Sequence, residues 1–480
     1  MSGETERLEV RDLVVVLPGI LGSTLARDGQ EAWAPSAGVV WQAIRSFGAS
    51  IQSLTLPADL GDDHPGDGVE PLALMPDLHI LPGLWSANIG YSRLLDWLTQ
   101  RFTLVPPDPK DPAKPANLLP FAYDWRLSNR YNARRLRAVV EPALERWRAL
   151  AEANREARLI LICHSMGGLV ARWYVEREGG AALTRKLITI GTPHRGAVAA
   201  LQQLVNGVEK SVGPLRLNLT HFARSLPSAH QLLPQYACLQ TGAGLAPISA
   251  VALPGVNPAL VADAVAFHAA LDAAPASAYD LHPIVGTRQP TPTTARLVGE
   301  RIETSEQIEG AREGGDGTVP RLSAAPKALN PDDPRLRYAP DQHLGLHSHQ
   351  AVLDELEGVL TARPVIHRGL TGPQIGLRTE PLLLLGEPLV VWADVAASKP
   401  LGLMAELLDE GGRLLERRKL RVQDSGQGQG QGHGHGQSCV FQPPRAGAWQ
   451  VRVGAAGGSA GAMTTPVSAV SLVCPLEEGP

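Results

Sequence analysis

The stretch Ile160-Leu161-Ile162-Cys163-His164-Ser165-Met166-Gly167-Gly168-Leu169-Val170-Ala171 constrains this chain more than any other. An apolar run stops at a serine and passes through two glycines into a helix-forming segment. That order predicts a nucleophile elbow, in which a buried strand turns sharply into a helix and the serine hydroxyl stands exposed at a strained tip above the helix N-terminus. Gly167 and Gly168 supply the small residues that such a turn needs. Cys163 stands two residues before Ser165, where the G-x-S-x-G pattern has glycine, and is expected to be a buried, inert packing variant of it.

A strand-to-helix elbow implies an open sheet with helices on its faces, and the rest of the chain reads that way. The short apolar run Leu13–Leu17 has the composition of a strand buried on both faces of a parallel sheet. Further strands are predicted at 118–123, 186–190, 281–285 and 335–338, with a hairpin excursion at 296–302. Helices are predicted at 91–100, 132–154, 166–177 and 350–360. The alternation gives an α/β fold with a mostly parallel sheet. In the helix at 132–154, Leu136, Val139, Val140, Ala143, Leu144, Trp147, Leu150 and Ala151 form an apolar stripe, and Pro142 predicts a kink or a restart.

Two long segments lack strand periodicity and are expected to be cap or lid insertions. The first, at about 31–90, carries Trp33, Trp41 and Trp85; the second, at about 199–278, has scattered helical patterns. The α/β domain is thus expected over 1–362 and a linker over 363–380. A β-sandwich follows over 381–480, from runs at 389–392, 401–407, 440–441, 449–453 and 467–473. Residues 426–437 alternate Gly with Gln or His, the composition of a low-complexity loop.

Composition narrows the function classes. The 480 residues carry a formal net charge of −4, and arginines are mixed with acids, which argues against a nucleic-acid partner. The polar start Met1-Ser2-Gly3-Glu4 has no apolar run behind it, and nothing approaches the ~18–20 apolar residues of a membrane span, so a cytoplasmic protein is expected. Cys163, Cys238, Cys439 and Cys474 show no metal spacing and read as free thiols, with a Cys439–Cys474 bridge as the alternative, and His433 and His435 lie in the low-complexity loop. Neither a metal nor a cofactor is expected.

A serine becomes a nucleophile only when a base takes its proton and an acid orients the base. On this fold the chain order is Ser, then Asp or Glu, then His. Asp316 occupies the glycine-framed turn Gly314-Gly315-Asp316-Gly317 after the late strands and is the candidate acid. Three histidines precede the final helix. His343 is favoured as base, His347 is the runner-up, and His349 lies near the helix start. His164 is expected to point away from Ser165. The backbone N–H groups of Met166 and Ile20 are the expected oxyanion donors.

Taken together, Pro18-Gly19-Ile20-Leu21-Gly22-Ser23, Tyr123-Asp124-Trp125-Arg126, His164-Ser165-Met166-Gly167-Gly168, Gly191-Thr192-Pro193 and Gly315-Asp316-Gly317-Thr318-Val319-Pro320 resemble the lecithin:cholesterol acyltransferase and lysosomal phospholipase A2 family of α/β-hydrolases. The resemblance runs from about 13 to 360 and leaves out the sandwich. It implies Ser165, Asp316 and His343 as a triad, Ile20 and Met166 as oxyanion donors, and Tyr123 to Arg126 as a structural motif near the site. The expected activity is cleavage of lipid carboxylic esters through an acyl-enzyme. Water is the default acceptor and an alcohol, in an acyltransferase, the alternative. A lipid substrate brings transient membrane-surface contact with it. The reading of another class is an effector or assembly module whose sandwich binds a protein partner.

Overall fold

The computed structural model describes residues 7–33, 52–77, 90–111, 113–212, 215–274, 279–330, 333–361, 374–380, 382–395, 401–409, 412–422, 436–456 and 466–474. Trp41, Trp85, His433, His435, most of the 426–437 tract and most of the expected linker lie outside them.

Six strands form the central sheet: β1 (Leu13–Leu17), β2 (Leu118–Pro120), β3 (Leu159–His164), β4 (Thr184–Ile190), β5 (Asp280–Gly286) and β6 (Arg337–Ala339). Their order is β6-β5-β4-β3-β1-β2, and every neighbouring pair is parallel. The unbroken apolar runs follow from burial on both faces. In β1, Leu13, Val15 and Leu17 join one core while Val14 and Val16 join the other. One face is covered by α2 (Asn129–Leu150) and α3 (Gly167–Arg177), the other by α1 (Ser92–Arg101) and α6 (Gln350–Thr361).

Helix α2 begins three residues earlier than its apolar stripe predicts, because Ser128 caps it by accepting from the Arg130 N–H. It runs through Pro142 without a break. Leu136, Val140, Ala143, Leu144 and Trp147 are buried, but Val139 and Leu150 are 40% and 56% exposed. The packed stripe is narrower than the periodicity implied. Strand β2 is also shorter than expected, ending at Pro120, whose ring removes a ladder donor.

The first insertion forms an antiparallel three-stranded sheet from Ser23–Arg27, Gln30–Trp33 and Val69–Leu74. The second, between α4 (Val198–Asn206) and β5, contains α5 (Pro258–Asp272) but corrects the expectation of an all-helical segment. Glu209–Val212 pairs with Leu215–Asn218, and Leu239–Thr241 pairs with Gly244–Ala246. The latter hairpin turns through Gly242-Ala243, a Gly-X turn between strands too short to show alternation.

The C-terminal region packs two sheets over one core that includes Ile375, Leu377, Val391, Leu403, Leu407, Phe441, Trp449 and Val451. Its strands are β7 (Ile375–Thr379), β8 (Leu382–Leu384), β9 (Leu389–Val395), β10 (Leu403–Leu408), β11 (Leu414–Lys419), β12 (Arg421–Val422), β13 (Gln437–Phe441), β14 (Gly447–Ala455) and β15 (Val467–Cys474). The sheets run β7-β9-β13-β12 and β8-β15-β14-β10-β11. Strand β7 falls where a linker was expected; its inward residues, Ile375 and Leu377, are only two in number and frame a glycine.

Candidate active site

The elbow takes the predicted form. Strand β3 ends at His164, α3 begins at Gly167, and Ser165 between them has φ 52°, a left-handed conformation rare outside glycine. Three bonds hold this strained residue: its N–H donates to the Ile190 carbonyl at 2.9 Å, and its own carbonyl accepts from the Gly168 N–H at 3.0 Å and from the Thr192 hydroxyl at 2.8 Å. A side chain on Gly168 would collide with Thr192. Cys163 is fully buried at the end of β3, and burial pushes its thiol pKa well up.

Strand order delivers the other two groups to the same sheet edge. The turn at Asp316 follows β5 and the His343 loop follows β6. His343 Nε2 lies 2.8 Å from Ser165 Oγ, and its Nδ1 lies 2.7 Å from Asp316 Oδ2. Because a carboxylate only accepts, Nδ1 carries the proton and Nε2 faces the serine O–H with its lone pair. Asp316 Oδ1 accepts from the N–H groups of Thr318 and Val319 at 3.0 and 2.7 Å, and the His343 N–H donates to the Asp316 carbonyl at 2.8 Å. Gly191 lets the chain pass behind the pair: a Cβ there would stand 2.9 Å from Asp316 Oδ2, and its φ is 57°.

The other two histidines of the loop are placed elsewhere. His347 Nε2 donates to the Gly90 carbonyl at 2.9 Å, and burial lowers its pKa to about 4. His349 Nδ1 accepts from the Ala351 N–H at the start of α6.

His164 turns away from Ser165 and joins a network with no local sequence signal. Its Nε2 donates to the His343 carbonyl at 2.9 Å, which leaves Nδ1 to accept from the Tyr91 hydroxyl at 2.8 Å. Tyr91 Oη in turn accepts from the Gly19 N–H at 2.8 Å. Burial, reinforced by His347 and His343, drives the His164 pKa well down and keeps the ring neutral. One chain of bonds thus links the Gly19-Ile20 loop, the elbow and the His343 loop.

The Gly19-Ile20 loop lies against the serine, since a Cβ on Gly19 would be 2.9 Å from Ser165 Cβ. Among the described residues, no backbone acceptor takes the N–H of Ile20 or of Met166. The Tyr123-Asp124-Trp125-Arg126 motif fastens this loop from behind. Tyr123 Oη donates to the Pro18 carbonyl at 2.8 Å, and Trp125 Nε1 donates to the Ser23 carbonyl at 3.1 Å. Arg126 is fully buried, paired with Asp124 at 2.6 Å and Asp67 at 2.8 Å. A cavity of about 60 Å³ lies over Ser165 and His343, walled by Ile20, Leu21, Ala200, Leu232, Val319 and Leu344. Among the described residues no cluster of three metal-ligating side chains occurs, the four cysteines are free, and no helix is long and apolar enough to cross a membrane.

The parallel sheet with its strand-to-helix elbow defines the class of the main body: an α/β-hydrolase. Residues 113–249 match the model of the lecithin:cholesterol acyltransferase family. No curated protein matches it. Among solved structures it is similar to Bacillus licheniformis lipase BlEst2 in propeptide form, at 11% identity and a TM-score of 0.32, covering 97% of this chain and 94% of that one. The mature form of the same lipase is similar at 12% identity and a TM-score of 0.32, covering 74% of this chain and 95% of that one.

Proposed function

We propose that the protein is a serine hydrolase of lipid carboxylic esters that works through an acyl-enzyme on Ser165. The observation that carries this reading is the hydrogen-bonded line from Ser165 Oγ through His343 to Asp316, at 2.8 and 2.7 Å. The family match of 113–249 supports the lipid ester as substrate class.

In the first half-reaction Ser165 Oγ attacks the ester carbonyl carbon and its proton passes to His343 Nε2. Asp316 stabilises the imidazolium through the Nδ1 proton, which it does not take. The carbonyl oxygen becomes an oxyanion, with the free N–H groups of Ile20 and Met166 as its donors; loss of one such donor typically costs about 2.7–4 kcal/mol. Collapse breaks the bond to the alkoxide, which takes the proton from Nε2 and leaves. Water then attacks the acyl-serine, giving its proton to His343 Nε2; collapse breaks the bond to Ser165 Oγ, which takes that proton back, and the carboxylic acid is released. An alcohol in place of water gives an ester by the same steps, and the match to an acyltransferase family favours testing that acceptor. The walls of the cavity over Ser165 and His343 include Ile20, Leu21, Ala200, Leu232, Val319 and Leu344, apolar side chains suited to an acyl chain.

Two assays test the reading. Wild type should react with a fluorophosphonate probe and Ser165→Ala should not; equal labelling of both would sink it. A panel of phospholipids, acylglycerols and short soluble esters, with and without an added alcohol, then separates lipase, esterase and acyltransferase by their products. Turnover of the short esters alone would remove the lipid substrate and leave the hydrolase.

A further inference from the structure

Strand β7 is an edge strand of the sandwich, hydrogen-bonded to β9 on one side. Such an edge presents a row of bare backbone groups that a protein must cover. Here two glutamines of the hydrolase body cover it. Gln289 Nε2 donates to the Ile375 carbonyl at 3.3 Å, and Gln289 Oε1 accepts from the Leu377 N–H at 3.2 Å. Gln342 Nε2 donates to the Leu377 carbonyl at 3.0 Å. Both outward groups of Leu377 are therefore taken by side-chain amides. Gly376 permits the approach, since a Cβ there would lie 3.1 Å from the Arg288 carbonyl oxygen.

Neither glutamine is a remote surface residue. Gln289 is 1% exposed, and its N–H donates to the carbonyl of Gly315, directly before Asp316. Its carbonyl accepts from the Thr291 hydroxyl at 2.8 Å, and that hydroxyl accepts from the Gly317 N–H at 2.9 Å, on the other side of the acid. Gln342 directly precedes His343, and the Gln342 N–H donates to the buried Asp341 carboxyl, which also faces the backbone N–H of Ser468 in β15. The same domain edge thus reaches the acid turn through Gln289 and the base loop through Gln342.

We infer that the C-terminal sandwich braces the acid and base turns, with Gln289 and Gln342 as positioning residues that hold Asp316 and His343 in register with Ser165. The inference rests on the reading of those three residues as the catalytic triad. Physically, the His343 ring is held by one hydrogen bond at each nitrogen, and a drift of about 1 Å in either turn lengthens both bonds enough to cost up to about a hundredfold in rate. The sandwich edge is a backbone fixed by its own ladder, so it gives the two turns a support from outside the hydrolase body.

The test uses the full chain with Gln289→Leu and Gln342→Ala, each assayed on a turned-over ester. The expected result is a fall in kcat of about tenfold or more with KM within twofold, as positioning of the reacting groups requires. The low-field NMR resonance of the His343 Nδ1 proton should shift or broaden in both variants. Gln342→Ala is the milder change and keeps the test usable where Gln289→Leu folds poorly. Unchanged kcat and an unmoved proton resonance, alongside a lowered melting temperature, would reduce the interface to packing and overturn the brace. A rise in kcat would overturn it too, making the sandwich a restraint. Failure of the triad reading is recognised separately, by an active Ser165→Ala.

Discussion

At the scale of single residues, Tyr91 does the most with no motif to announce it. Its hydroxyl accepts from Gly19 N–H and donates to His164 Nδ1, joining the loop of one expected oxyanion donor to the neighbour of Ser165. Tyr91→Phe leaves the Gly19 N–H and His164 Nδ1 buried without partners, which costs about 1–3 kcal/mol. Fluorophosphonate labelling of Ser165, which forms a phosphonyl-serine with loss of fluoride, should slow by about tenfold as the loop loosens. A variant labelled at the wild-type rate would show that Tyr91 serves packing alone. Tyr91 reads from the chain only as the start of a helix, because its partners lie 72 and 73 positions away. His164 was legible only as a residue turned away from Ser165.

At the scale of elements, the segment after β2 acts as a clamp. Tyr123 and Trp125 bond the backbone of Pro18 and Ser23, while Arg126 reaches Asp67 and the Leu54 carbonyl in the first insertion. Arg126→Met removes one partner of a buried ionic cluster and strands Asp124, which is 3% exposed. Breaking such a pair typically costs about 3–5 kcal/mol. Urea unfolding should show that loss, and a change below about 1 kcal/mol would mean that water reaches Asp124 in the variant. The sequence presented this segment as part of a family pattern near the site. Its clamping role depends on contacts across the insertion, whose irregular text carries no period.

For the molecule as a whole, buried imidazoles set the response to acid. Burial lowers the pKa of His268, His347 and His349 to about 4 and drives those of His164 and His194 well below the ordinary 6.5. As pH falls below about 6.5 the unfolded chain takes up these protons and the folded chain does not, so stability drops toward pH 4. Asp341 works the other way: burial raises its pKa to about 7, and its contribution is present at low pH and lost as pH rises through about 7. With His230 and His282 also lowered, seven histidines outweigh the three carboxyls that burial raises, Asp77, Asp341 and Asp394. The melting temperature should therefore be lower at about pH 5 than at about pH 7.5; a flat or rising profile would mean that these rings ionise freely in the fold.

The sequence by itself determined what local pattern can carry. An apolar strand ending at Ser165 beside two glycines specifies an elbow, alternating strand and helix runs specify the parallel sheet, and a glycine-framed Asp316 marks a turn at a sheet edge. Each of these rests on neighbours within a few positions. Only the tertiary structure decided which of three closely spaced histidines stands beside Ser165, because His343 and His347 differ in where the loop carries them and not in chemistry. It likewise decided that Ile375–Thr379 is a strand whose open edge is closed by Gln289 and Gln342. Those bonds span 35 to 88 positions, and a glutamine that caps a distant backbone looks in the sequence like any other glutamine.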